Sequence, residues 1–212
     1  MTDMKNILFD LDGTLTDPAL GITNSVMHAL KRFNIPLPPR DELYKFIGPP
    51  LAESFERYYG FSDVQKSVEV YREYFSINGL FENEIYDGID NLLKTLQEKG
   101  HKIFLATSKP EIYAKQILEH FKIDKYFTDA VGSLLNGNRV EKGEVIAYLL
   151  KKHNITDAIM IGDRCFDIAG AKENGIKSIG VLYGYGTEDE LKDADFIVSS
   201  VTDLKNLLES GL

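Results

Sequence analysis

The side chains of this chain that carry charge or hydroxyl chemistry stand at the ends of short apolar runs. Asp10 and Asp12 follow the run KNILF at 5–9, within Asp10-Leu11-Asp12-Gly13-Thr14. Thr107-Ser108-Lys109 closes the run KIFLAT at 102–107. Asp163 follows AIMIG at 158–162, Asp167 comes four residues later, and Lys142 opens a predicted helix over 143–153. In an open parallel sheet, ligands bind beyond the carboxyl ends of the strands. If these strands are neighbours, four carboxylates converge at one edge with Thr107 and Lys142 nearby. Clustered carboxylates repel one another and raise their own pKa values unless a cation sits among them. Hard oxygen ligands suit Mg²⁺, which takes one or two carboxylates, keeps waters and binds substrate phosphate. A carboxylate can also attack phosphorus. The Thr107 hydroxyl and Lys142 ammonium could hold phosphoryl oxygens as negative charge moves among them.

The elements that must position these groups follow from periodicity. Strands are predicted at 5–9, 102–107, 128–132, 158–162, 177–182 and 195–198. Helices are predicted between and after them at 88–99, 110–121, 143–153, 167–174, 187–193 and 202–209. Such alternation gives a parallel sheet covered on both faces. The expected class is therefore α/β: a Rossmann-like doubly wound parallel sheet, formed by 1–16 and 83–212, with an inserted helical domain at 17–82. In the insert, Asp17 reads as an N-cap before Pro18, and Ser62 with Gln65 as a capping box. Further helices are expected at 41–47 and 50–59. The insert holds 11 of the 23 aromatic residues. Most of them should fill its core, because helical stripes usually face a core.

Composition excludes several classes. The chain of 212 residues has 24 Lys and Arg against 33 Asp and Glu, a net charge of −9. That balance argues against non-specific nucleic-acid binding and against a polybasic membrane contact. The single cysteine, Cys165, permits no internal disulfide and fits a reducing compartment. No apolar run reaches the ~18–20 residues of a membrane span. The start, MTDMKNILFDLDG, lacks a basic n-region and an unbroken apolar stretch, so it does not read as a signal peptide. A soluble cytoplasmic protein is expected, with no obligate protein partner evident. Cys165 reads as a buried small hydrophobe rather than a nucleophile, since a Cys-based phosphatase needs arginine where Ala171 stands. Gly184-Tyr185-Gly186 lacks the third glycine of a dinucleotide fingerprint, and there is no P-loop.

Taken together, the motifs resemble those of the haloacid dehalogenase superfamily. Asp10-Leu11-Asp12-Gly13-Thr14-Leu15 is similar to its first motif, Thr107 to the second, Lys142 to the third, and Gly162-Asp163-x-x-x-Asp167 to the fourth. The order and spacing match along the whole chain, with a helical cap inserted after the first motif. Gly48-Pro49-Pro50-Leu51 and Gly184-Tyr185-Gly186 are similar to the phosphoglycolate-phosphatase-like group. The resemblance implies a Mg²⁺-dependent phosphatase acting on a small phosphomonoester, phosphoglycolate- or 5′-nucleotidase-like. By the same resemblance Asp10 is the nucleophile and Asp12 the general acid and base. Thr107 and Lys142 bind the phosphoryl group, with Ser108 and Gly48 as further substrate contacts. Asp10, Asp12 through its backbone carbonyl, and Asp163 ligate the metal, with Asp167 beside them. Asp167 also suits the N-terminus of helix 167–174. An acid at Asp12 favours phosphoryl transfer, because halide leaves without a proton. Gly143 stands where many relatives have proline, so Lys109 is a second candidate for the phosphate-binding lysine. Sugar phosphomutase and pyrophosphatase are the alternative reactions, and a non-catalytic binding protein is the alternative class.

Overall fold

Four of the strands are short and almost wholly apolar, which is what burial on both faces demands. The computed structural model describes residues 5–210. Its strands are Asn6–Phe9 (β1), Thr16–Asp17 (β2), Glu84–Ile85 (β3), Lys102–Pro110 (β4), Phe127–Ser133 (β5), Ala158–Gly162 (β6), Lys177–Val181 (β7) and Phe196–Val198 (β8). The helices are Ala19–Arg32 (α1), Leu51–Tyr59 (α2), Val64–Tyr74 (α3), Ile89–Glu98 (α4), Glu111–His120 (α5), Lys142–His153 (α6), Cys165–Glu173 (α7), Glu188–Leu191 (α8) and Val201–Glu209 (α9). The chain divides into two compact units. One runs up to Asp17 and resumes at Ile85; the other is Pro18–Glu84.

The first unit is built on a six-stranded sheet of order β5-β4-β1-β6-β7-β8. Every neighbouring pair in it is parallel. In β1, Leu8 faces a cluster with Phe104, Ala106, Val131 and Met160, closed by Val145, Ile146 and Leu149 of α6 and Ala171 of α7. Ile7, Phe9, Ile103 and Leu105 alternate with these and are equally buried. Both faces are therefore covered, as the α/β expectation required. Register places Phe9 beside Leu105 on one side and Ile161 on the other. The residues just beyond these three positions are thus forced into one row.

The second unit, Pro18–Glu84, is helical. Its core holds Val26, Leu30, Phe46, Phe55, Val68, Tyr71 and Phe75. Phe55 meets Phe46 edge-on at 5.1 Å and Phe61 at 5.6 Å, and Tyr71 stacks on Phe75 at 5.4 Å. Aromatic rings here fill a small core, although Tyr44 and Phe81 stay exposed.

Several boundaries differ from expectation, each for a local reason. Asp17 does not cap α1; its carboxylate accepts the Tyr185 hydroxyl, and Pro18 occupies the N-cap. Asp63 rather than Ser62 caps α3, accepting the Lys66 N–H at 2.9 Å. The segment Arg40–Phe46 is a 3₁₀ helix. Strand β4 runs on through Ser108 and Lys109, so Pro110 stands at the N-cap of α5 instead of inside its first turn. After α3 the chain continues as a π-helical turn, Phe75–Gly79, which periodicity did not suggest. Cys165 is only half-buried at the start of α7, and burial pushes its thiol pKa up. It is thus less enclosed than expected and still poorly nucleophilic.

Removing a ring from a core this small should act locally. Phe55→Ala should cost about 3–5 kcal/mol. Amides of α1–α3 should then exchange at least about 100-fold faster, while those of β1, β4 and β6 keep wild-type rates. Hydrogen exchange read by mass spectrometry checks this, and uniform acceleration across both units would contradict it.

Candidate active site

Asp10 is the first residue beyond β1, and its N–H continues the ladder to the Ile161 carbonyl at 2.9 Å. The next turn is tight: the N–H groups of Thr14, Leu15 and Thr16 all donate to the Leu11 carbonyl. Gly13 closes it at φ +82, and a Cβ there would lie 2.1 Å from Asp163 Oδ2. Only glycine satisfies both conditions. Asp163 follows β6, and Thr107, Ser108 and Lys109 lie in the last part of β4. Because β4, β1 and β6 are adjacent, these loops stand side by side. Lys142 is the first residue of α6, which packs across β4 and α7.

Carboxylate oxygens of Asp10, Asp163 and Asp167 lie within 4.8 Å of one another, and all three residues are buried. Lys142 Nζ is 2.7 Å from Asp10 Oδ1, 2.7 Å from Asp167 Oδ1, and donates to the Ala106 carbonyl at 3.1 Å. Asp167 Oδ2 accepts the Arg164 N–H at 3.1 Å, so this residue both closes the start of α7 and serves the cluster. Asp163 Oδ2 accepts the Tyr185 N–H at 2.8 Å. Its other oxygen, Oδ1, is buried with no hydrogen-bond partner among the described residues. Asp12 stands apart from the trio and pairs with Lys109 Nζ at 2.6 Å, both side chains nearly enclosed. The two lysines that the sequence left as alternatives are thus both present, each on its own carboxylate. Thr107 is buried beside them and accepts the Lys109 N–H at 3.3 Å. Ser108 carries its carbonyl to Ser133 Oγ at 2.7 Å. Gly48 lies in the helical unit at φ +105.

Electrostatics follow from burial. Desolvation, added to by Asp167 and Asp10, lifts the Asp163 carboxyl well above its ordinary range. Burial, only partly offset by Lys142, pushes Asp167 up to about 6. Asp12 is raised by burial despite Lys109. For Lys142, burial alone would favour the neutral amine, but Asp10 and Asp167 overcome it and hold the ammonium above the usual lysine range. A buried carboxylate with one unpartnered oxygen, facing two others, fits a hard divalent cation. Residue type and order pointed to Asp10, Asp163 and Asp167 as neighbours, whereas Asp12, expected among them, pairs instead with Lys109. The Tyr185 N–H on Asp163 was not legible, since a backbone donor leaves no mark beyond the local Gly-Tyr-Gly pattern.

Comparison with known proteins places this geometry. The model of the haloacid dehalogenase-like hydrolases matches residues 7–181. The chain belongs to that family. A 5′-nucleotidase of Pseudomonas aeruginosa is 46% identical over 211 residues, covering 97% of this chain and 96% of that protein. The tyrosine-protein kinase PtkA of Mycobacterium tuberculosis is 35% identical over 207 residues, covering 96% of this chain and 71% of that one. Among solved structures, a predicted phosphatase from Clostridium acetobutylicum superposes with a TM-score of 0.95 at 47% identity, covering 98% of this chain and 100% of that one. The chain is a phosphoric monoester hydrolase of this family. No helix among the described residues is long and apolar enough to cross a membrane.

The raised carboxyl pKa values carry a sign. Asp163 and Asp167 hold protons to higher pH folded than unfolded, so without metal they cost stability as pH rises from ~4 towards about 6 and beyond. In EDTA at pH 7, Asp163→Asn should therefore melt above wild type, and this advantage should shrink at pH 4. Millimolar Mg²⁺ should raise the wild-type Tm and leave the variant unmoved. Differential scanning fluorimetry checks both, and a Mg²⁺ shift retained by Asp163→Asn would refute the fit.

Proposed function

We propose that the chain is a Mg²⁺-dependent cytoplasmic phosphatase that hydrolyses a small phosphomonoester through an aspartyl-phosphate on Asp10. One observation supports this reading: Asp10, Asp163 and Asp167 are gathered and buried, a single lysine pairs with two of them, and Asp163 Oδ1 has no hydrogen-bond partner among the described residues. Asp10 and Asp163, with the Asp12 carbonyl and with Asp167 alongside, would hold Mg²⁺. When bound, the ion neutralises carboxylate and phosphate charge and orients the phosphoryl group. Lys142 fixes Asp10 by direct contact, and Thr107 stands beside it as a hydroxyl donor to phosphoryl oxygens. The Asp10 carboxylate attacks phosphorus, and the bond to the leaving oxygen breaks. Asp12 donates its proton to that oxygen, producing an alcohol. Burial raises its carboxyl pKa, the direction that favours the protonated form. The resulting Asp12 carboxylate then takes a proton from water, whose oxygen attacks the phosphorus of the acyl phosphate. Inorganic phosphate leaves, and Asp10 and protonated Asp12 are restored.

The helical segment 17–82 is read as a cap by the family resemblance, and Gly48 and Ser108 are further candidate substrate contacts on the same ground. Small phosphorylated metabolites such as phosphoglycolate or a nucleoside monophosphate are the substrate class. The similarity to a 5′-nucleotidase supports the second. No nucleic acid, membrane or obligate protein partner enters the reaction.

Phosphate release from an aryl phosphate should need Mg²⁺, stop with EDTA and return when the ion is restored. Asp10→Asn should lose all turnover. Asp12→Asn should lose about 10²–10⁴-fold in kcat, less with an aryl leaving group than with an alkyl one, because the better leaving group needs its proton less. Turnover by Asp10→Asn at the wild-type rate would overturn the mechanism. Glucose 6-phosphate formed from glucose 1-phosphate, in place of free phosphate, would indicate a mutase.

A further inference from the structure

The loop Tyr183-Gly184-Tyr185-Gly186 after β7 touches more of the site's supports than its own chemistry explains. The Tyr185 N–H holds Asp163 Oδ2 at 2.8 Å, while the hydroxyl of the same residue donates to Asp17 Oδ1. Asp17 is the last residue before the chain leaves for the helical segment. The Tyr183 hydroxyl donates to the Thr14 carbonyl at 3.0 Å. The Tyr183 ring packs edge-on against Tyr86 at 5.2 Å. Tyr86 stands one residue after the chain returns at Ile85, and its N–H donates to the Leu15 carbonyl at 3.1 Å. The loop has no slack: a Cβ at Gly184 would lie 2.3 Å from the Gly13 carbonyl oxygen, and one at Gly186 would lie 1.8 Å from the Asp163 carbonyl oxygen.

We propose that Tyr185 is a positioning residue that couples the Asp163 carboxylate to the two crossings, 14–17 and 84–86, from which the helical segment hangs. Resting on the metal role proposed for Asp163, this goes further by assigning a mechanical link to a residue outside the reacting groups. One rigid residue holds Asp163 by its backbone and Asp17 by its side chain. A shift of Asp163 on taking a cation is therefore passed to the outgoing crossing, and through Tyr183 and Tyr86 to the returning one. Linkage is reciprocal, so constraint at the crossings in turn favours the cation-bound carboxylate. Tyr185→Phe keeps the N–H and removes the hydroxyl that meets Asp17 on the outgoing crossing and Tyr86 on the returning one.

The test uses the full chain with Mg²⁺ alone as probe. Calorimetry gives the Mg²⁺ Kd, and hydrogen exchange with and without saturating Mg²⁺ gives protection at 14–17 and 84–86. In wild type, Mg²⁺ should slow exchange at both crossings about tenfold. Tyr185→Phe should lose most of that protection and weaken the Mg²⁺ Kd by a matching factor of about ten, and Asp17→Ala should do the same. The double variant should be no worse than either single one. In kinetics, Tyr185→Phe should raise KM for phosphomonoesters about tenfold and raise the Mg²⁺ half-saturation by a similar factor. Wild type that binds Mg²⁺ without protecting the crossings overturns the coupling and spares the metal reading. Mg²⁺-dependent protection retained by Tyr185→Phe, or additive losses in the double variant, overturns it equally. Wild type that binds no Mg²⁺ overturns the metal reading itself and the coupling with it.

Discussion

Lys142 makes the burial of two carboxylates possible, and the rest of the site is arranged around it. Its ammonium donates to the Ala106 carbonyl and lies 2.7 Å from one carboxylate oxygen of Asp10 and one of Asp167. An ion pair taken out of water survives only when geometry and further hydrogen bonds offset the desolvation, and this lysine meets the condition for two acids at once. It does not meet it for Asp163. When all three are ionised, one positive charge among three carboxylates leaves a local excess of two negative charges among buried side chains. The Asp12–Lys109 pair next to it is neutral and contributes nothing to the balance.

The position of Lys142 runs against local preference. A lysine in the first turn of a helix faces the positive end of the macrodipole, and α6 begins with one. The cost is accepted because the start of α6 is where an ammonium reaches both the end of β1 and the start of α7. Such a reach requires α6 to cross the sheet on the face where α7 also lies, and the cluster of Val145, Ile146, Leu149 and Ala171 under Leu8 and Met160 fixes that crossing. A local rule is broken at one residue and the surrounding core holds it there, which is the pattern expected of a functional position.

The same contrast explains what could be read from sequence and what could not. Strands β1, β4 and β6 are apolar runs ending in acids or a hydroxyl, so their type and parallel sense were legible; the convergence of Asp10, Asp163 and Asp167 hung on an adjacency that the sheet order supplies, and Asp12 stands outside it. Residue type alone could not divide Lys109 from Lys142. Both are ammonium groups near strand ends, and which carboxylate each meets depends on where α6 lies against the strand carrying Lys109. Caps failed for a related reason. Asp17 looks like an N-cap by neighbourhood, yet Tyr185, distant in sequence, claims its carboxylate. The π-turn at Phe75–Gly79 follows from a close approach to α1, where a Cβ on Gly21 would lie 1.9 Å from the Gly79 carbonyl oxygen. Tertiary contacts of this kind override local propensity without altering composition.

In the proposed reaction this balance constrains how an acidic protein accepts a phosphate. Both lysines at the site are already engaged with carboxylates, so neither brings an uncommitted positive charge to a dianion. Coulomb repulsion within a poorly solvated site is far stronger than in water, and the excess charge around Asp163 would repel the substrate. Two changes relieve it. A divalent cation on the Asp163 side cancels the excess directly. A proton on Asp12, which burial already favours, frees Lys109 from its partner and turns that pair into a net positive group. The proton that the leaving oxygen requires is thus the same proton that makes the site receptive to an anion, so binding competence and acid catalysis depend on one protonation state of Asp12.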